Sequence, residues 1–335
     1  MSSALPRFVE HSDLENIPYT GLRGQYGPYL ADEGLVHAAR TALGLNLPLL
    51  LTGEPGCGKS DFAWVAAHAI GRAEPLRCHI RSDTKARDLL YHYDALTRFG
   101  DAQHGDRERA RDPRKYIALR PLGAALMSPG PRNVILLDEI DKAPRDLPND
   151  LLHELDEGRF EIPEIGDFVG EERAMDRTYK NVPLQRNMER PEGQKRPLVV
   201  ITSNAERQLP EPFLRRCVFF HIPPPTETRL AEIAKARFPD GDLQMMLRLS
   251  SIFMALRAER GIAKPPTTAE MLNWVDALHR LYNPADVEPT VRAFAGGIVG
   301  AGGKLPDGMS WGDLPGLPCL LKLNEDLDAI GARDR

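Results

Sequence analysis

Short aliphatic runs closed by polar residues punctuate the first two thirds of the chain, at residues 47–51, 134–137 and 198–201. They do not alternate as half-exposed strands do, so they read as strands buried on both faces of a parallel sheet. Residues 75–80 read as another strand, as do Val218-Phe219-Phe220 ahead of the stop Pro223-Pro224-Pro225. Helical stripes fall between these runs. Leu35, Val36, Ala39, Ala42 and Leu43 mark one, and Phe62, Val65, Ala66, Ala69 and Ile70 another, stopped at Gly71. Leu147, Leu151, Leu152 and Leu155 place a helix over residues 145–158 with Gly158 closing it. Beyond residue 226 the pattern is helical. Leu230, Ile233 and Ala234 begin one helix, Leu243, Met246, Leu247, Leu249, Ile252, Phe253 and Leu256 a second, and Met271, Leu272, Val275, Leu278 and Tyr282 a third. Such stripes suit a small bundle, in which the methionines are packing residues.

Three stretches lack such a pattern. Residues 1–30 read as connective, because Pro18, Gly21, Gly24, Gly27 and Pro28 interrupt any regular element. Residues 81–120 are polar, with Tyr91, Tyr93 and Phe99 interleaved, and the mixed-sign run 106–115 reads as a solvated loop. The alternative is a protruding insertion that touches a partner. Residues 159–163 alternate like a short strand, and 166–197 read as a long surface insertion. The organisation expected is an α/β core over 31–225 with insertions at about 81–120 and 166–197, a helical domain over 226–300, and a Gly/Pro-rich tail over 301–335, briefly helical near 320–327.

Composition narrows the class. A chain of 335 residues exceeds one typical core, and 42% hydrophobic with 27% charged residues is ordinary for a globular protein. The net charge of -5 argues against a globally basic nucleic-acid binder. Cys57, Cys78, Cys217 and Cys319 have neither disulfide nor zinc spacing, which fits a reducing compartment. With no apolar run near 18 residues and no signal peptide, the expectation is a cytoplasmic protein without membrane insertion.

The most specific chemistry lies between the first run and its helix. Gly53-Glu54-Pro55-Gly56-Cys57-Gly58-Lys59-Ser60 reads G-x-x-x-x-G-K-S, a phosphate-cradling loop in strand–loop–helix context. Its glycines permit positive φ, and its amides form an anion nest at a helix N-terminus. Lys59 is placed to bridge β- and γ-phosphates and Ser60 to ligate Mg²⁺. Gly53 to Ser60, with Asp61 behind them, form the candidate nucleotide-contacting set. Tyr29 and Leu30 are candidate base contacts or, equally, packing residues.

The run at 134–137 ends in Asp138-Glu139, at the sheet edge where ligands of open α/β folds bind. Two carboxylates there need a cation or donors to answer them. Asp138, with Ser60, is the candidate holder of the metal, and Glu139 the group that polarises attacking water. Asn204, at the tip of the run ending Thr202-Ser203, is placed to orient that water, its structural alternative being a turn. Arg215-Arg216 lead into a strand. Facing a subunit edge they would reach a neighbour's γ-phosphate; otherwise they are an ion-paired surface feature.

Taken together, residues 20–285 resemble the AAA+ ATPases and, within them, the MoxR-type group. The likeness rests on residues 53–60, on "LLDEIDKAP", "LLHELDEGRFEIP" and "ITSN", and on Arg215-Arg216, with Arg81-Ser82-Asp83-Thr84 similar to the entry of that group's helix-2 insertion. The resemblance implies a five-stranded parallel sheet flanked by helices, with a C-terminal all-helical lid. It also implies a homo-oligomeric ring, usually hexameric, with ATP and Mg²⁺ between subunits and Arg216, with Arg215, acting in trans. A von Willebrand factor A domain protein is an expected partner in remodelling a client. Residues 261–270 depart from the family by lacking a sensor-2 arginine, so either Lys264 substitutes or the role is absent.

The leading expectation is therefore an ATPase that remodels or activates a protein complex. A motor of a DNA-acting, restriction-type machine is the alternative, with Arg107, Arg109, Arg111, Arg114 and Lys115 as its basic candidates. A non-catalytic, nucleotide-gated scaffold is disfavoured by the Asp138-Glu139 pair and Asn204.

Overall fold

The computed structural model describes residues 22–24, 27–128, 132–167, 176, 179, 182–306 and 308–331. They divide into two compact units. Residues 22–24, 31–52 and 59–221 form the first, and residues 27–30, 53–58 and 222–331 the second.

The first unit is built on a five-stranded parallel sheet. Its strands are β1 (Leu49–Thr52), β2 (Leu76–His79), β3 (Val134–Asp138), β4 (Leu198–Ser203) and β5 (Val218–His221), in the order β5-β1-β4-β3-β2. The three aliphatic runs occupy its centre. Leu49 to Leu51, Val134 to Leu137 and Leu198 to Ile201 are all buried, as continuous hydrophobic strands must be when helices cover both faces. Helix α1 (Glu33–Leu45) lies against β5, and α2 (Lys59–Ala69) against β3. Asp32 caps α1 by accepting from Gly34 N at 2.7 Å, and Asn46 closes it in the left-handed conformation. The expected parallel sheet flanked by helices is thus present.

The loop reading of the run 106–115 is overturned, and residues 81–120 around it carry regular elements. Helices span Ala86–Leu90, Ala95–His104 and Arg107–Arg111, a 3₁₀ turn spans Pro113–Tyr116, and Tyr91–Tyr93 pairs antiparallel with Ile117–Leu119. Aspartates start the later three helical pieces. Asp94 accepts from Thr97 N, Asp106 from Arg109 N, and Asp112 from Arg114 N, each at 2.9–3.0 Å. Periodicity missed the segment because Ala95–His104 buries none of its residues. Residues 166–197 are likewise not wholly superficial. Asn187–Glu189 pairs antiparallel with Arg159–Glu161, and Val182, Leu184 and Met188 join the core. Residues 168–175, 177, 178, 180 and 181 of that stretch lie outside the described residues. So do residues 1–21, 25 and 26 of the stretch expected to be connective, which nonetheless carries short strands at Leu22–Gly24 and Gly27–Tyr29. The helix expected over 145–158 is two short ones, Leu147–Asp150 and Leu152–Glu157, with Gly158 closing the second at φ 66°.

In the second unit, α3 (Glu227–Arg237), α4 (Leu243–Arg257) and α5 (Thr268–Leu281) follow the three stripes. A fourth helix, α6 (Pro284–Gly300), was not anticipated. Pro289, Gly296 and Gly297 lie inside it and mask its stripe of Val287, Val291, Phe294, Ala295 and Ile298. The tail completes this core. Trp311, Leu314, Leu317, Leu320 and Leu321 are buried with the helices, and the Trp274 indole donates to Pro315 O at 2.8 Å. A last helix runs Asn324–Ala329. No helix among the described residues is long and apolar enough to cross a membrane.

Candidate functional site

Strand register brings the polar tips to one edge of the sheet. Ser203 and His221 both pair with Thr52, and Leu137 pairs with Ile201, so Asp138 stands level with Thr202. The Ser60 hydroxyl donates to Asp138 Oδ1 at 2.6 Å, and the Thr202 hydroxyl donates to the same oxygen at 2.7 Å. Arg77 on β2 approaches Asp138 Oδ2 at 3.9 Å. Lys59, at the N-terminus of α2, is 6% exposed.

Glu139 follows in a left-handed conformation, φ 57° and ψ 53°, which is rare for a residue with a side chain. Two contacts hold that turn. Its N–H donates to Thr202 Oγ1 at 2.9 Å, and its carboxylate accepts from Lys142 Nζ at 2.7 Å. The hydrogen bond that Lys142 donates to Glu139 raises the Lys142 pKa above its ordinary value. Asn204 is half-buried at the end of β4, with its N–H donating to Asp141 Oδ2 at 3.0 Å. The same oxygen accepts from Glu206 N at 3.1 Å.

Residues 53–58 group with the second unit. Gly56 and Gly58 have φ of 72° and 89°, and a Cβ on Gly58 would lie 2.9 Å from the Tyr29 ring. Only glycine fits both the backbone and that contact. Tyr29 thus packs on the loop, while Leu30 is partly exposed and its carbonyl accepts from Arg229 at 3.0 Å. Glu54 is held by Arg257, whose Nη2 lies 2.9 and 3.0 Å from its two carboxylate oxygens. Pro55 is exposed and Cys57 half-buried, with Cys57 N donating to Glu54 O at 3.3 Å. Asp61 occupies the first turn of α2. Arg257, at the end of α4, is thus a cation that touches this loop, and Lys264 is exposed.

Arg215 and Arg216 are both engaged within the chain. Arg215 pairs with Glu211, and Arg216 Nε lies 2.9 Å from Asp156 Oδ2. With Glu211 and Pro212 they line an open surface concavity of about 460 Å³.

The donor set fits the groups expected here. Ser60 and Asp138 offer hard oxygens that meet at 2.6 Å, and no group of three His, Cys, Asp or Glu placed to hold a metal ion by themselves occurs among the described residues. A cation held by one hydroxyl and one carboxylate must take its other ligands from water and phosphate, as Mg²⁺ does. Positive-φ glycines ahead of a helix N-terminus fit a phosphate chain. Sequence reasoning assigned no role to Thr202, Asp141, Lys142 or Arg257. The first three lay inside "ITSN" and "LLDEIDKAP", but their partners depend on register. Arg257 carried no local signal.

A family model described as an AAA domain of the dynein-related subfamily matches residues 48–217, just over half of the chain. Comparison with curated proteins gave no match.

Proposed function

The chain belongs to the AAA domain family, dynein-related subfamily, and from that premise we propose that it is an ATP-hydrolysing motor of the MoxR type that remodels or activates a protein complex. The observation that carries the reading is the convergence of Ser60 and Thr202 on Asp138, beside the turn that bears Glu139. In this reading Lys59 and the amides of residues 53–58 hold the phosphates, and Ser60 with Asp138 holds Mg²⁺. Bound magnesium would neutralise charge that develops on the transferred phosphoryl group. Glu139 accepts the proton of the attacking water, and Asn204 orients it. Lys142, which donates to the Glu139 carboxylate at 2.7 Å, must first release it so that the carboxylate can face water. Arg216, with Arg215, serves a neighbouring subunit's nucleotide in a homo-oligomeric ring, proposed to be a hexamer. Residues 226–300 act as its lid, and a von Willebrand factor A domain protein is the proposed partner.

The DNA-motor reading is not favoured. Arg109 and Arg114 pair with Asp101 and Asp112 at 3.3 and 2.9 Å, which leaves a dilute basic surface on a chain of net charge -5.

Phosphate release by the full chain tests the reading. Lys59→Ala is expected to abolish nucleotide binding, and Glu139→Gln to retain ATP while lowering turnover by about 100-fold or more. Full turnover in Glu139→Gln would remove Glu139 from the chemistry.

A further inference from the structure

Two buried side chains are arranged reciprocally behind the site. Thr202, on β4, accepts the N–H of Glu139 at the end of β3, at 2.9 Å. Asp141, in the turn after β3, accepts the N–H of Asn204 at the end of β4, at 3.0 Å. Each strand's side chain therefore takes the backbone donor of the residue proposed to handle water on the other strand. Both are deeply buried, Thr202 at 1% and Asp141 at 3% exposure.

We infer that Thr202 and Asp141 form a reciprocal clamp that fixes the spacing between Glu139 and Asn204, and that both are positioning residues for hydrolysis. This rests on the roles proposed above for Glu139 and Asn204. A hydroxyl has one hydrogen, and Thr202 spends it on Asp138 Oδ1 at 2.7 Å. Its lone pairs face the Glu139 N–H. One buried oxygen thus sets both the metal-side carboxylate and the neighbouring turn, whose left-handed backbone at Glu139 needs such a restraint. Asp141 works from the opposite side. Its Oδ2 gathers the N–H groups of Asn204 and Glu206 across the left-handed Ala205 (φ 59°), while Oδ1 has no hydrogen-bond partner in this structure. A buried carboxylate kept in place by two amides is a restraint on the loop rather than a solvated surface acid. Water placed by Glu139 and Asn204 must sit within a few tenths of an ångström of its productive position. A device that couples their two backbones serves that need directly.

Steady-state hydrolysis and nucleotide affinity of the full chain test the inference together. Thr202→Val removes the hydroxyl at nearly constant volume. It is expected to lower kcat by about 10–100-fold, as loss of a partner behind a metal-site ligand does. Affinity for a non-hydrolysable ATP analogue measured without Mg²⁺ is expected to stay within about threefold. Thr202→Ser restores the hydroxyl and is expected to recover most of kcat. Asp141→Asn keeps an oxygen for both amides and is expected to retain more turnover than Asp141→Ala. Wild-type kcat in Thr202→Val, parallel loss of kcat and metal-free affinity, or failure of Thr202→Ser to recover kcat in a folded chain would each overturn the clamp. Failure of the parent reading shows separately, as turnover that survives Glu139→Gln.

Discussion

The Ser60 hydroxyl and Asp138 Oδ1 lie 2.6 Å apart although 78 residues separate them in the chain. Parallel strands β1 and β3 do not pair directly, since β4 lies between them, yet the helix start after β1 and the tip of β3 deliver oxygens to one point. If that point holds Mg²⁺, Ser60→Ala and Asp138→Asn should each raise the Mg²⁺ concentration for half-maximal hydrolysis by about 10-fold or more. Affinity for ATP without the metal should change little. Titration of activity with MgCl₂ checks this, and an unchanged Mg²⁺ requirement in both variants would remove them from the metal site.

Arg216 meets Asp156 at 2.9 Å, both half-exposed, so the pair contributes on the order of 0–1 kcal/mol to stability. A trans role and a local structural role then predict different results. Arg216→Ala is expected to abolish hydrolysis while hardly moving the melting temperature, and Asp156→Ala to leave hydrolysis largely intact. Mixing Arg216→Ala with Glu139→Gln subunits should partly restore activity through one intact interface. No recovery in any mixture, with assembly preserved, would count against the trans role.

Trp274 is fully buried and donates to Pro315 O, while a Cβ on Gly316 would sit 2.9 Å from its ring. The tail thus closes the helical core. Trp274→Ala should cost about 3–5 kcal/mol of stability in the second unit, and removing residues 311–335 should expose it to limited proteolysis. Chemical denaturation followed by tryptophan fluorescence measures the first, and a truncation that melts like the full chain would contradict the second.

Burial pushes the Cys78 and Cys217 thiols up to about 12 from an ordinary 9.0. Neither should react with a thiolate-directed reagent at pH 8 in the folded chain, and both should react in denaturant. Unfolded thiols lose their protons near 9.0 whereas the folded ones retain them, so this contribution to stability is intact below pH 9 and is lost as pH rises toward 12. Denaturation midpoints at pH 8 and pH 10.5 should therefore fall in that order. A rise between them would reverse the sign.

The sheet and the positive-φ glycine turn were legible because both are written locally: runs of Leu, Ile and Val fully buried by helices, and glycines at fixed spacing before Lys59. The register that sets Thr202 behind Glu139 was not, because it depends on strands some sixty residues apart choosing one alignment. Helix α6 was hidden by proline and glycine that its buried face of Val291 and Phe294 tolerates. Arg257 reaches Glu54 only through tertiary packing.

Residues 94–116, which include the run expected to be a loop, enter and leave by one door. Tyr93 pairs with Ile117, and Asp94 N donates to Tyr116 O at 2.8 Å, so residues 94–116 begin and end side by side. Such a stem behaves as a socket. That outgrowth could be exchanged, lengthened or trimmed at its stem with β2 and β3 left as they are, because its two ends already meet.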